Sequence, residues 1–173
     1  MKHRELAYCG LFGAAALLLP VLFHLIHLGH IFMPMYLPLV TLALFVRPGP
    51  ASLTALVVPL LSGAATGMPP FYPPVAPAMS LELAIMVLII GTVRVLFAHI
   101  NTLMVLIPAL VIGRIVNASL LYLFARLMEL PAKFIAGVSL LSGWPGLIIM
   151  IIAIPAIVRL SRIPKGIEES KDK

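Results

Sequence analysis

Acidic residues are what this sequence has fewest of among its charges: six Asp and Glu stand against twelve Lys and Arg, and charged residues make up 10% of 173. So little charge leaves too few polar side chains to cover a soluble domain of this size. One cysteine, Cys9, excludes an intramolecular disulfide framework. There is no G-x-x-x-x-G-K-[ST] phosphate loop, so ATP hydrolysis would have to be the work of another chain. H-E-x-x-H, G-x-S-x-G and an acidic cluster suited to Mg²⁺ are also missing. The alternating pattern of a membrane barrel is absent as well.

What is present is apolar: 62% hydrophobic residues and a mean hydropathy of +1.14. Backbone groups in lipid must be satisfied within the chain, which favours helices, and a helix needs about 20 apolar residues to cross. The chain reads as an all-α integral membrane protein. Lys2, His3 and Arg4 before a long apolar run resemble a signal peptide, but the run passes Leu25 without a small-residue cleavage site, which predicts an uncleaved first span.

Breakers and charges divide the chain into six predicted spans. They are residues 6–26, 35–46 ending at Arg47-Pro48-Gly49-Pro50, 51–65, 78–98, 102–128, and a last one within 132–160 interrupted at Gly143-Trp144-Pro145-Gly146. The six form one domain over residues 1–162, with a charged tail at 163–173. Spans two and three are short, at roughly 12 to 15 residues. Placing the N-terminus inside gives the cytoplasmic side Lys2, Arg4, Arg47, Arg94, Arg159, Arg162, Lys165, Lys171 and Lys173, and leaves Arg126 and Lys133 outside. Both termini are then cytoplasmic. The Gly29–Pro34 loop and the loop from Thr66 to Pro77 share the outer face.

That second loop carries Pro69, Pro70, Pro73, Pro74 and Pro77. Each proline fixes φ and lacks an amide donor, so the segment is stiff and is neither helix interior nor central strand. It is expected to hold Met68, Phe71 and Tyr72 as a lid over a cavity floored by Arg114 and Asn117 and walled by Glu82. Glu82 and Arg114 are the ionisable groups placed inside spans. A charge at the bilayer centre costs at least about 2.5 kcal/mol and faces a partner. Asn117 lies one turn from Arg114 on the same face. By the helix rise Glu82 should lie roughly 10 Å nearer the surface than Arg114, so that a direct pair needs the arginine to reach up. Either a structural ion pair or a substrate-facing pair satisfies this pattern.

His24, His27 and His30 recur every third residue, with Met33 and Met35 beyond. They read as polar residues at a helix mouth, with His27 and His30 available to hydrogen-bond a solute. The alternative is a soft-metal or tetrapyrrole uptake protein using all three histidines. Gly10, Gly13 and Ala14 form a small-residue stripe that permits close helix contact. Trp144 is either an interfacial anchor or a pocket wall.

Several stretches, in this order, resemble the substrate-binding S components of energy-coupling factor (ECF) vitamin transporters. They are the Gly10–Ala14 stripe followed by Leu19-Pro20, Met33-Pro34-Met35-Tyr36-Leu37-Pro38, Thr66-Gly67-Met68-Pro69-Pro70, Pro73-Pro74-Val75-Ala76-Pro77 with Glu82-Leu83, Gly113-Arg114-Ile115-Val116, and Gly143-Trp144-Pro145-Gly146 before Ile154-Pro155. The resemblance covers nearly the whole chain. It implies a six-helix bundle in a prokaryotic cell membrane that captures a vitamin-like nutrient, of the pantothenate, folate, cobalamin or flavin kind. It also implies docking on a membrane coupling subunit with two cytoplasmic ATPases, no nucleic-acid partner, no cofactor and no catalytic residues. Gly10 and Ala14 match the family's A-x-x-x-A contact stripe, with glycine at its first position. The expected site residues are His27, His30, Met33, Tyr36, Met68, Phe71, Tyr72, Glu82, Arg114, Asn117 and Trp144. A competing class is a small intramembrane enzyme using Glu82 and a histidine for acid/base work.

Overall fold

The computed structural model describes residues 3–25, 33–97, 100–129 and 144–162. Among these residues the chain is all helix and loop, with six helices in order: α1 (His3–Leu25), α2 (Tyr36–Leu42), α3 (Pro48–Thr66), α4 (Val75–Leu96), α5 (Thr102–Leu127) and α6 (Trp144–Arg162). Four of them, α1, α3, α4 and α5, are long and apolar enough to cross a membrane, and Pro145–Leu160 of α6 is a shorter apolar helix. Their outward faces carry large apolar side chains such as Leu18, Val95, Met104, Leu127 and Ile152, each more than 60% exposed. A soluble protein would place polar residues there; a lipid-facing surface requires apolar ones.

The expected second span is corrected most. Residues 36–42 form a helix of seven residues, about 10 Å long and too short to cross a bilayer as helix. Turns at 43–45 continue it. α2 touches α1, α3, α4 and α6, and Leu39, Val40, Thr41 and Leu42 are completely buried. It is a plug inside the bundle. Thr41 satisfies its own hydroxyl on the Leu37 carbonyl at 2.6 Å.

Arg47-Pro48-Gly49-Pro50 starts α3 as well as ending the preceding segment, and α3 has 19 residues where about 15 were expected. Pro48 occupies its first turn, where a missing amide costs nothing because that N–H has no partner within the helix. Similarly, α4 begins at Val75, so Pro77 lies in a first helical turn instead of the loop. α5 agrees with expectation to within one residue, and Asn101 caps it by accepting from the Leu103 amide at 3.2 Å. α6 starts at Trp144, with Pro145 in its first turn.

Several contacts fix which ends of the helices lie together. Glu5 on the first turn of α1 meets Arg47 at 3.4 Å, and the Cys9 thiol points to the Pro50 carbonyl at 3.9 Å. Gly91, near the end of α4, lies against Pro48; an added Cβ would meet the proline at 3.1 Å. The starts of α1 and α3 and the end of α4 therefore gather at one end, with Arg4, Arg47 and Arg94. The proline-rich loop and Arg126 belong to the other end. The segment from Met33 to Arg47 thus brings the chain back to the start of α1, although only seven of its residues are helical.

Candidate functional site

α4 and α5 are joined by a short connection and run antiparallel. Counting back from Leu96 and forward from Thr102, Glu82 and Asn117 reach almost the same level, with Arg114 about 3 Å deeper than Glu82. The roughly 10 Å offset expected from sequence therefore overstates the gap. Glu82 is completely buried. Its Oε2 accepts from Asn117 Nδ2 at 2.8 Å and from the Tyr36 hydroxyl at the start of α2. Arg114 Nη1 stands 4.0 Å from Oε1, and Oε1 accepts no hydrogen bond among the described residues.

Arg114 is held from above as well. Its Nη2 donates to the Met33 sulfur at 2.7 Å, and its guanidinium carbon lies 5.9 Å over the Tyr36 ring, within cation–π range. Met33 has a φ of 46°, a left-handed conformation uncommon for a residue other than glycine. Gly113 makes the close approach of α5 to α4 possible: a Cβ there would overlap the Met86 methyl and come within 3.6 Å of Glu82. Glu82 on α4, Arg114 and Asn117 on α5, and Met33 and Tyr36 at the head of α2 thus form one constellation. The turn that carries Met33 and Tyr36 also borders an apolar crevice of about 270 Å³, lined by Leu19, Phe23, Pro34, Leu37 and Ile149.

Five of the residues expected at the site are therefore brought together. Met68, Phe71 and Tyr72 are 51%, 48% and 68% exposed, and no hydrogen bond, ion pair or ring contact joins them to Glu82 or Asn117. Their loop is docked on α3. Ser62 donates to the Met68 carbonyl at 2.7 Å, and Gly67 ends α3 at φ 75°, its amide bonded to the Gly63 carbonyl. The Phe71 ring lies so near Gly63 that an added Cβ would meet it at 2.9 Å. His27, His30 and the side chains of His24 and Trp144 lie outside the described residues. Among the described residues no three His, Cys, Asp or Glu gather as a metal cluster.

Gly10 and Ala14 are exposed, and the space over Gly10 is open to at least 4 Å. Gly13, in the same stripe, instead packs inward on Thr54 and Val58 of α3. Sequence reading did not anticipate the Glu5–Arg47 pair, nor that Tyr36 donates to Glu82. The first was signalled by a lone acid in a basic N-terminus; the second had no signal, because residues 46 positions apart meet only through α2.

Comparison with protein-family models, curated proteins and solved structures finds no match.

Proposed function

We propose that the chain is the solute-binding S component of an ECF-type importer in a prokaryotic cell membrane. The observation that carries this reading is the buried Glu82–Arg114–Tyr36–Asn117 constellation between membrane-length helices. Polar groups at that depth are costly and mark solute or ion paths, and a carboxylate oxygen without a hydrogen bond is a poor choice for a purely structural pair. The apolar crevice bordered by the turn that carries Met33 and Tyr36 suits the apolar part of a small solute.

In this reading the six helices form a bundle with both termini cytoplasmic. Support comes from the gathering of Arg4, Arg47 and Arg94 at one end, which the positive-inside rule assigns to the cytoplasm. The proline-rich loop then faces outward at the solute's point of entry. The open face at Gly10 and Ala14 is the proposed contact for the membrane coupling subunit, which two ATPases would drive.

The test is solute binding by the detergent-purified chain. Arg114→Ala is expected to abolish binding in protein that still elutes as a folded monomer. Wild-type affinity in that variant would remove Arg114 from the site. Turnover of a solute by the isolated chain would favour the intramembrane enzyme instead.

A further inference from the structure

Glu82 carries two oxygens into the core, and among the described residues only one of them accepts a hydrogen bond. Oε2 takes both the Tyr36 and Asn117 donors; Oε1 takes none. An unsatisfied buried acceptor costs about 1–3 kcal/mol, and more when charged. Arg114 Nη1 is 4.0 Å away, beyond the roughly 3.2 Å reach of an N–H···O bond. Meanwhile Arg114 Nη2 donates to a thioether, a weak acceptor, on a residue whose backbone is in the left-handed region. Strained backbone of this kind gathers at ligand clamps.

An atom pair that accepts from the guanidinium and donates to Oε1 would bridge the gap with two parallel hydrogen bonds. We propose, on the premise that this is a solute-capture site, that the solute presents a cis acceptor–donor edge here. Such an edge is the C=O beside N–H of a lactam or cyclic ureide, or the ring nitrogen beside an amino group of an aminoazine. Its acceptor faces Arg114 in place of the Met33 sulfur, and its N–H faces Glu82 Oε1. A carboxylate solute with no N–H would set acceptor against acceptor at Oε1. An open-chain secondary amide, with C=O and N–H on opposite sides, reaches only one partner.

The test is calorimetric titration of the full detergent-purified chain with riboflavin, folate and biotin, which carry such an edge, and with nicotinate, pantothenate and lipoate, which do not. Small molecules released from the wild-type protein on denaturation are identified by mass spectrometry alongside. The expected result is binding or retention of an edge-bearing compound, weakened at least about tenfold in Glu82→Gln. In that variant Asn117 keeps the amide oxygen of the new side chain and turns its NH₂ toward the solute, so the donor edge is refused. The N-methylated form of the bound compound tests the same point on the wild-type chain and is expected to lose at least about tenfold as well. Tighter binding of nicotinate, pantothenate or lipoate, or unchanged affinity for the N-methylated compound, overturns the edge and leaves solute capture standing. A wild-type chain that binds no probe and releases no small molecule overturns both.

Discussion

The Glu5–Arg47 and Glu82–Arg114 pairs use the same two side chains in opposite settings. The first is closer, 3.4 Å against 4.0 Å, yet its arginine is 73% exposed. In the second the glutamate is completely buried and the arginine 20% exposed. Distance alone would rank the surface pair as the stronger. Solvent reverses that order: exposed pairs contribute about 0–1 kcal/mol, whereas removing one member of a buried pair leaves the other desolvated and costs about 3–5 kcal/mol. The surface pair ties the start of α1 to the start of α3. In the buried pair, Glu82 Oε1 faces Arg114 without accepting a hydrogen bond among the described residues.

The largest expected effect breaks the buried side of this contrast. Arg114→Ala should lower stability by about 3–5 kcal/mol in a detergent unfolding titration and abolish solute binding. Glu82→Ala, which removes the charge that Arg114 faces, should bind no better. Next is Gly113→Val, which drives a branched side chain into Met86 and the α4–α5 contact; overpacking of this kind costs about 1–3 kcal/mol, read as a lower unfolding midpoint. A Gly113→Val protein as stable as wild type would show that α5 can move away from α4, and the close approach would lose its role in holding Glu82.

The surface pair is expected to yield far less. Glu5→Gln should change stability by about 1 kcal/mol or less, and raised salt should erase that difference, since exposed pairs are screened. A loss as large as that of Arg114→Ala would end the contrast between the two pairs. The smallest effect on the fold is expected from Gly10→Trp, because nothing stands over that position. Unfolding and solute binding should stay within error of wild type while recovery of the proposed coupling subunit by co-purification falls. Unchanged recovery would remove the α1 face as the docking contact.

Much of the candidate site's polar cluster was legible in the sequence for one physical reason. Charged and amide side chains in hydrocarbon must find partners, so Glu82, Arg114 and Asn117 stood out from their apolar surroundings before any fold was known. Met33 and Tyr36 entered through a motif at the expected head of a second span, and both reach the cluster. The seat of the proline-rich loop was not legible in the sequence. The loop's stiffness is real, but stiffness does not say where a loop leans, and Gly63 offers Phe71 a seat on α3 that no local pattern advertised.

The sequence by itself determined that the chain is helical and apolar enough to cross a membrane, because composition and run length set the cost of leaving water. It also marked which few polar residues cannot be left alone there. Only the tertiary structure decided that the second apolar segment is a buried plug and not a membrane-length helix, since a seven-residue helix is marginal alone and is held here by packing against four others. Only it decided that, among the described residues, one oxygen of Glu82 accepts hydrogen bonds and the other does not. That difference rests on the meeting of α2, α4 and α5, whose donors lie 35 to 46 residues away along the chain, and no local pattern carries information over such a separation.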